Sequence, residues 1–228
     1  MTKISRRQFL YLSALVSFLY EAPVYPKEYM TDNLTTMYPA TTLVLQNAFR
    51  AELIAHKRYV RFWAKALNEG YPNIAYLFSA FSASEKIHAD NYEFVLNSLG
   101  RKAEGNLAID VNVNDTKTNL TESANNELEK IKKVYPGFLT QLEKEGHEEA
   151  IVTCMYSWKS HKQHEKKINE IHRYADVFFG SVASKIEGLK LDFYVCRVCG
   201  STIDQAPVSP CDICNRSKSN YRRIEKPA

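Results

Sequence analysis

Ser84-Glu85-Lys86-Ile87-His88 sets a carboxylate and an imidazole three residues apart. Positions i and i+3 of an α-helix share a face, so Glu85 and His88 point into the same space. A carboxylate with a neutral imidazole suits iron, manganese or zinc. A Glu from each of two helices plus a Glu-x-x-His from two others makes a di-metal four-helix bundle. Alone, a Glu and a His at this spacing more often form a solvated pair. The flanking sequence must therefore supply three more helices with acids and histidines on their inward faces.

The helix around the motif is expected over about Pro72 to Leu99, with Ile74, Leu77, Phe78, Phe81, Glu85, His88, Tyr92 and Val95 on one face and Gly100 ending it. Upstream, a first helix opens at Pro39 and runs to about Asn68. Its inward stripe reads Leu45, Ala48, Glu52, Ala55, Tyr59, Phe62 and Ala66. An acid at the centre of an apolar stripe is costly unless paired or metal-bound, which makes Glu52 a candidate ligand.

Downstream, Arg101 to Lys117 is a polar crossover with one apolar patch, Leu107, Ile109, Val111 and Val113. Its length lets the second and third helices run parallel, and it has room for a short strand. Thr118 and Asn119 are placed to cap the third helix, with Glu122 completing a capping box. The inward row is Leu120, Ala124, Glu127, Ile131 and Tyr135, and Pro136-Gly137 should kink the helix. Glu127 is the third candidate acid, although Glu129, Lys130 and Lys132 around it also suit a surface position. The fourth helix, about His147 to Phe179, carries Ile151, Cys154, Met155, Trp158, His161, His164, Ile168, Ile171, Ala175 and Phe178. A lone His on an apolar face is usually a hydrogen-bonded core residue, but His161-x-x-His164 opposite Glu85-x-x-His88 reads as a ligand pair. Cys154 reads as a small core residue.

After Gly188 the pattern changes to Tyr194-Val195-Cys196-Arg197-Val198-Cys199-Gly200 and then Cys211-Asp212-Ile213-Cys214. Two Cys-x-x-Cys knuckles present four thiolates in tetrahedral array, for zinc or for a single redox-active iron. Disulfides compete with that reading in an exported protein, but two-residue spacing within each pair favours a metal. The spacing leaves zinc and iron open. This small module is expected to have a core separate from the helices.

The amino terminus, Ser5-Arg6-Arg7-Gln8-Phe9-Leu10, sets paired arginines before an apolar run from Phe9 to Tyr20. That run is shorter than the ~20 residues of a spanning helix. It resembles a twin-arginine export signal, which implies a route for folded proteins and a location in the periplasm or on the outer face of the cytoplasmic membrane. The organisation that follows is a signal over 1–24, a linker over 25–38, a four-helix bundle over 39–187 and a four-cysteine domain over 188–228. With 45% hydrophobic residues the chain of 228 is not disordered. Its 30 Lys and Arg against 26 Asp and Glu are interspersed and leave no nucleic-acid patch.

From about Leu43 to Glu225 these segments resemble the rubrerythrin family. The resemblance rests on Ala51-Glu52 through Arg58-Tyr59 and Phe62, Gly70-Tyr71 through Ile74-Ala75, Phe78, Glu85, His88-Ala89, Val134-Tyr135-Pro136-Gly137-Phe138, Glu145-Gly146 and His164-Glu165. It implies an all-α ferritin-like bundle with one long crossover and a di-iron site, joined to a rubredoxin-like iron domain. Under it Glu52 and Glu127 are terminal ligands, Glu85 is a bridging ligand, His88 and His164 are nitrogen ligands, and Tyr59 and Tyr135 stand beside the metals. It also implies reduction of hydrogen peroxide to water, with electrons from a redox donor entering at Cys196, Cys199, Cys211 and Cys214. A head-to-tail homodimer would then bring one subunit's cysteines to the other's bundle.

Two residues depart from the family's pattern. His161 stands where a second bridging Glu is expected, as a sixth ligand, and Lys130 where a further carboxylate normally lies. Three carboxylates in place of five leave two divalent ions under-neutralised. The readings left are a di-iron site with an extra imidazole, a mixed or single-metal site, and a bundle that keeps the fold without the chemistry. The last would make the chain an electron carrier or metal-binding protein of the cell envelope, or, with zinc at the cysteines, a structural one.

Overall fold

A computed structural model describes residues 37–105 and 111–226, with the backbone alone for 168–182 and 185. The expected signal segment, most of the linker, Leu107 and Ile109, and the side chains of Ile168, Ile171, Ala175 and Phe178 lie outside the described residues. The elements are α1 (Pro39–Asn68), α2 (Pro72–Ser98), α3 (Thr116–Glu129), a π-helical turn (Lys130–Val134), α4 (Tyr135–Glu145), α5 (Glu148–Glu187), β1 (Tyr194–Cys196), β2 (Thr202–Ile203), a 3₁₀ turn (Lys218–Asn220) and β3 (Tyr221–Arg223). No described helix is long and apolar enough to cross a membrane.

The α1 and α2 stripes are buried throughout, including Glu52, Glu85 and His88, because both helices present that face to a common centre. In α5 the same holds for Cys154, His161 and His164. Pro39 and Pro72 open α1 and α2, where a missing N–H is harmless, but neither helix has a local side-chain cap. Carboxylates from distant helix ends fill that role. Glu145, ending α4, accepts from the Ala40 and Thr41 amides at 2.9 and 2.8 Å. Glu187, ending α5, accepts from those of Asn73 and Ile74 at 2.8 and 3.1 Å. Glu69, just past α1, accepts from Thr116 at 2.8 Å. Each contact joins a C-terminal end to an N-terminal end, so α1 runs antiparallel to α3–α4, and α2 antiparallel to α5. With the short α1–α2 turn this makes α2 and α3 parallel, as the crossover implied. Among the described residues the crossover holds no strand.

The third helix departs from expectation at both ends of its middle. Asp115 is the cap, accepting from the Thr118 amide at 2.8 Å, and Asn119 and Glu122 instead hold Asn114. The helix starts earlier because Asp115 and Thr116 already have partners. The disturbance expected at Pro136-Gly137 appears one turn earlier, as the π-helical segment. Tyr135 donates its amide to the Lys130 carbonyl, five residues back. Pro136 has no amide to give Ile131 in the same pattern, and the Ile131 carbonyl accepts from Trp158 Nε1 at 3.0 Å instead. Single π turns of this kind gather at functional sites.

The C-terminal module is a small antiparallel sheet, order β2-β1-β3, with Tyr194 facing Ile203 and Arg223. Each knuckle closes in a left-handed residue, Gly200 (φ 75°) after Cys199 and Asn215 (φ 53°) after Cys214. The separate core expected of the module is confined to the four cysteines with Val198, Ile213 and Tyr221 against them. Phe193, Val195 and Ile224 belong to the same buried cluster as Tyr76, Phe78 and Ile186. Tyr76 ties the two together, its hydroxyl donating to the Ile224 carbonyl at 2.7 Å and accepting from the Phe193 amide at 3.0 Å. So few residues cannot bury much besides their own cysteines.

Candidate metal centres

Among the described residues, two buried groups of side chains could hold a metal. The first lies in the bundle between an aromatic layer of Tyr59, Phe62, Phe78 and Phe81 and an apolar layer that includes Tyr92, Tyr135 and Leu142. The Phe81 ring stands 4.3 Å from that of His164, and Tyr135 5.0 Å from His161. Glu52, Glu85, His88, Glu127, His161 and His164 all turn inward, each at most 1% exposed. Ligand atoms of Glu52, Glu85, His88 and His161 lie within 4.8 Å of one another, and so do those of Glu85, Glu127, His161 and His164. Glu85 and His161 belong to both halves.

Lys130 joins them, although the pattern of the helix allowed it to face solvent. Its ammonium is 2.8 Å from Glu52 Oε2 and 3.7 Å from Glu85 Oε2, with 14% of the side chain exposed. Its signal in the sequence was its spacing from Glu127, the same three-residue step that pairs Glu85 with His88. The π-helical turn begins at Lys130, which itself keeps right-handed helical angles (φ −54°, ψ −50°).

The electrostatics follow from burial and these neighbours. Burial raises the Glu52 carboxyl, but Lys130 and then His161 outweigh it and hold the group well below its usual range. Glu127 is likewise brought down to about 2, chiefly by His161 against the opposing effect of burial. Burial and Lys130 depress the His161 imidazole, yet Glu127, Glu85 and Glu52 together raise it to about 10. His88 is raised by Glu52 and Glu85 over the effect of burial, whereas burial dominates at His164 and lowers it.

The two tyrosines cap opposite acids. Tyr59 donates to Glu127 Oε1 at 2.8 Å, and Tyr135 to Glu52 Oε1 at 2.7 Å with His161 Nε2 a further 3.2 Å away. Burial, reinforced by those carboxylates, raises both phenols well above the usual value, so both stay protonated. Two ligand atoms stay without a hydrogen bond in this buried cluster, Glu85 Oε1 and His164 Nδ1, 3.5 Å apart.

The second group is Cys196, Cys199, Cys211 and Cys214, whose sulfurs lie within 4.8 Å of one another. Cys196–Cys214 and Cys199–Cys211 are 3.8 and 3.5 Å apart, far beyond the ~2.05 Å of a disulfide, so the disulfide reading fails. Contacts with Cys196 and Cys211 push the Cys199 thiol up, and contacts with Cys196 and Cys199 hold Cys211 down. Four soft ligands at this spacing suit zinc or iron.

The cysteine cluster stands directly on the bundle centre within one chain. The Cys199 carbonyl oxygen is 3.2 Å from His88 Nε2. Ser84 and Ser160 both donate to the Gly200 carbonyl, at 2.7 and 3.0 Å, and the Thr202 hydroxyl meets His164 Nε2 at 3.2 Å. Asn91 donates to the Val198 carbonyl at 2.8 Å. Sequence reading missed these contacts. Ser84 and Ser160 each precede a ligand candidate by one position, but which polar residues meet a distant loop is not visible in helical spacing.

The Rubrerythrin family model matches residues 44–172. The chain is 31% identical to Rubrerythrin-2 of Clostridium acetobutylicum over 185 residues, 78% of this chain and 93% of that one. It is 25% identical to nigerythrin of Nitratidesulfovibrio vulgaris, covering 84% and 90%. Among solved structures, partially reduced nigerythrin superposes with a TM-score of 0.69 over 81% of this chain and 86% of that one at 23% identity. Desulfovibrio desulfuricans bacterioferritin gives 0.63 over 68% and 91% at 18% identity, a likeness of fold alone.

Proposed function

The chain belongs to the rubrerythrin family, and from that premise we propose that it is a non-haem iron oxidoreductase that reduces hydrogen peroxide to water, exported by the twin-arginine route. The observation that carries the reading is the 3.2 Å contact between the Cys199 carbonyl and His88 Nε2. It joins a four-thiolate site, suited to one-electron exchange with a soluble donor, to a buried imidazole of the carboxylate cluster. Reduction of one peroxide consumes two electrons and two protons and yields two waters. Iron, when bound, supplies the electron-transfer chemistry at the cysteines and in the bundle.

The protein's own part is positioning. Ser84 and Ser160 fix the Gly200 carbonyl and hold the first knuckle against α2 and α5. Tyr59 and Tyr135 keep their protons and direct them at Glu127 and Glu52, which orients those carboxylates. The surrounding aromatic layer keeps bulk water from the cluster, which strengthens each of these interactions. Because the chain's own cysteines already meet its bundle, a head-to-tail homodimer is not required to bring the two sites together.

A single experiment tests the reading. The iron-loaded full chain is reduced without oxygen and mixed rapidly with hydrogen peroxide, following the visible charge-transfer bands of thiolate-bound iron. The bands should return with one peroxide consumed per two electrons. A colourless protein, carrying zinc at the cysteines, or a reduced protein that peroxide leaves bleached would overturn it.

A further inference from the structure

The two halves of the bundle cluster are not alike. In the half formed by Glu52, His88 and one edge of Glu85, every ligand atom already has a partner. Glu52 Oε2 takes the Lys130 ammonium and Oε1 the Tyr135 hydroxyl. His88 Nδ1 takes Glu85 Oε2 at 3.1 Å, and Nε2 the Cys199 carbonyl. In the other half Glu127 and His161 are paired with each other at 2.6 Å and held by Tyr59 and Tyr135, but two atoms stay orphaned, Glu85 Oε1 and His164 Nδ1. Both are fully buried and 3.5 Å apart, and they stand with Glu127 and His161 in one four-ligand set. A buried acceptor without a donor is expensive, and a cation between such atoms removes the cost.

We propose that the bundle holds one divalent ion, bound by Glu85, Glu127, His161 and His164, and that the Lys130 ammonium takes the place of a second. Charge counting agrees. With the imidazoles neutral as metal ligands, three carboxylates and one ammonium leave two negative charges, which one divalent ion neutralises, whereas two ions would leave two positive charges in a buried site. His161 adds a geometric reason. A carboxylate bridges two ions with two oxygens, but a neutral imidazole offers a single lone pair and serves one ion. Two carboxylates and two imidazoles are borderline ligands that suit iron, manganese or zinc. The pair of ions implied by the family therefore does not fit the residues present. The inference concerns the ions and not the substrate, so it stands or falls independently of peroxide reduction.

Manganese provides the test, because its paramagnetic spectrum separates single ions from pairs. The full chain is given one equivalent of zinc for the four thiolates and then excess Mn(II), and unbound metal is removed. The parent should retain one manganese per chain with the six-line signal of an isolated ion. Lys130→Glu, which restores a carboxylate and removes the ammonium, should retain two with a broadened, spin-coupled signal. Two coupled manganese ions in the parent, or none, would overturn the proposal. Should Lys130→Glu fail to fold, His164→Ala and His88→Gln decide the placement: the first should lose the ion and the second keep it. The reverse pattern would put the ion in the wrong half and sink the assignment.

Discussion

Gly200 lies so close to His88 that a Cβ on it would fall 2.3 Å from Nε2 and 2.8 Å from the Ser84 hydroxyl oxygen. The glycine also has φ 75°, a left-handed conformation that costs an L-residue ~1–2 kcal/mol. Two requirements thus meet at one residue, the turn of the first knuckle and the approach of the cysteine module to the bundle.

Gly200→Ala should leave the four-cysteine site intact while lifting it from α2. The visible spectrum of the iron-loaded variant should match the parent. Electron passage into the bundle, followed as peroxide-driven return of the bleached bands, should slow roughly tenfold, the equivalent of ~1.4 kcal/mol of lost positioning. An unchanged rate would mean that the His88–Cys199 contact plays no part in electron transfer.

Lys130→Met removes the ammonium that stands against Glu52 in the bundle cluster and leaves that buried carboxylate without this ion pair. Breaking a buried pair on one side costs about 3–5 kcal/mol. The metal-free variant should unfold at correspondingly lower urea, and divalent metal should recover part of the loss by binding the vacated carboxylates. Equal stability of parent and variant without metal would show that Lys130 does not neutralise the cluster.

Glu145 caps α1 from the far end of α4, and its carboxyl is lowered. Burial opposes that shift, and hydrogen bonds from the Thr41 and Ala40 amides outweigh it. A depressed carboxyl stabilises the fold above the unfolded value near ~4.3 and loses its contribution as pH falls through the folded value. Glu145→Gln should therefore be less stable than the parent at pH 7 and approach it in acid. Parallel stability curves from pH 7 down to pH 3 would contradict this.

Arg6→Lys with Arg7→Lys should strand the protein inside the cell, since the paired arginines are what specify the folded-protein route. Fractionation of cells producing each form gives the answer. Equal export of the doubly substituted chain would remove the twin-arginine assignment.

Much of this architecture was legible in the sequence because helical periodicity is local. Steps of three and four placed Glu52, Glu85, His88, Glu127, His161 and His164 on inward faces, and all six are buried together. The Cys-x-x-Cys spacing identified the second cluster for the same reason, since each knuckle is a turn of a few residues.

What the tertiary structure alone decided comes from contacts between residues distant in the chain. Asp115, not Thr118 or Asn119, caps the third helix, and the caps of α1 and α2 come from Glu145 and Glu187, more than a hundred residues away. The pairing of Lys130 with Glu52, and the Trp158 bond to the Ile131 carbonyl that Pro136 leaves open, each join residues from different helices. The shared core of Phe193, Val195 and Ile224 with the bundle, and the seat of Gly200 against His88, arise because a module too small to bury its own apolar surface must borrow a neighbour's. Local pattern fixed which atoms are available for chemistry. Packing between distant segments decided that Lys130 pairs with Glu52 and that Glu85 Oε1 and His164 Nδ1 stay buried without a hydrogen bond.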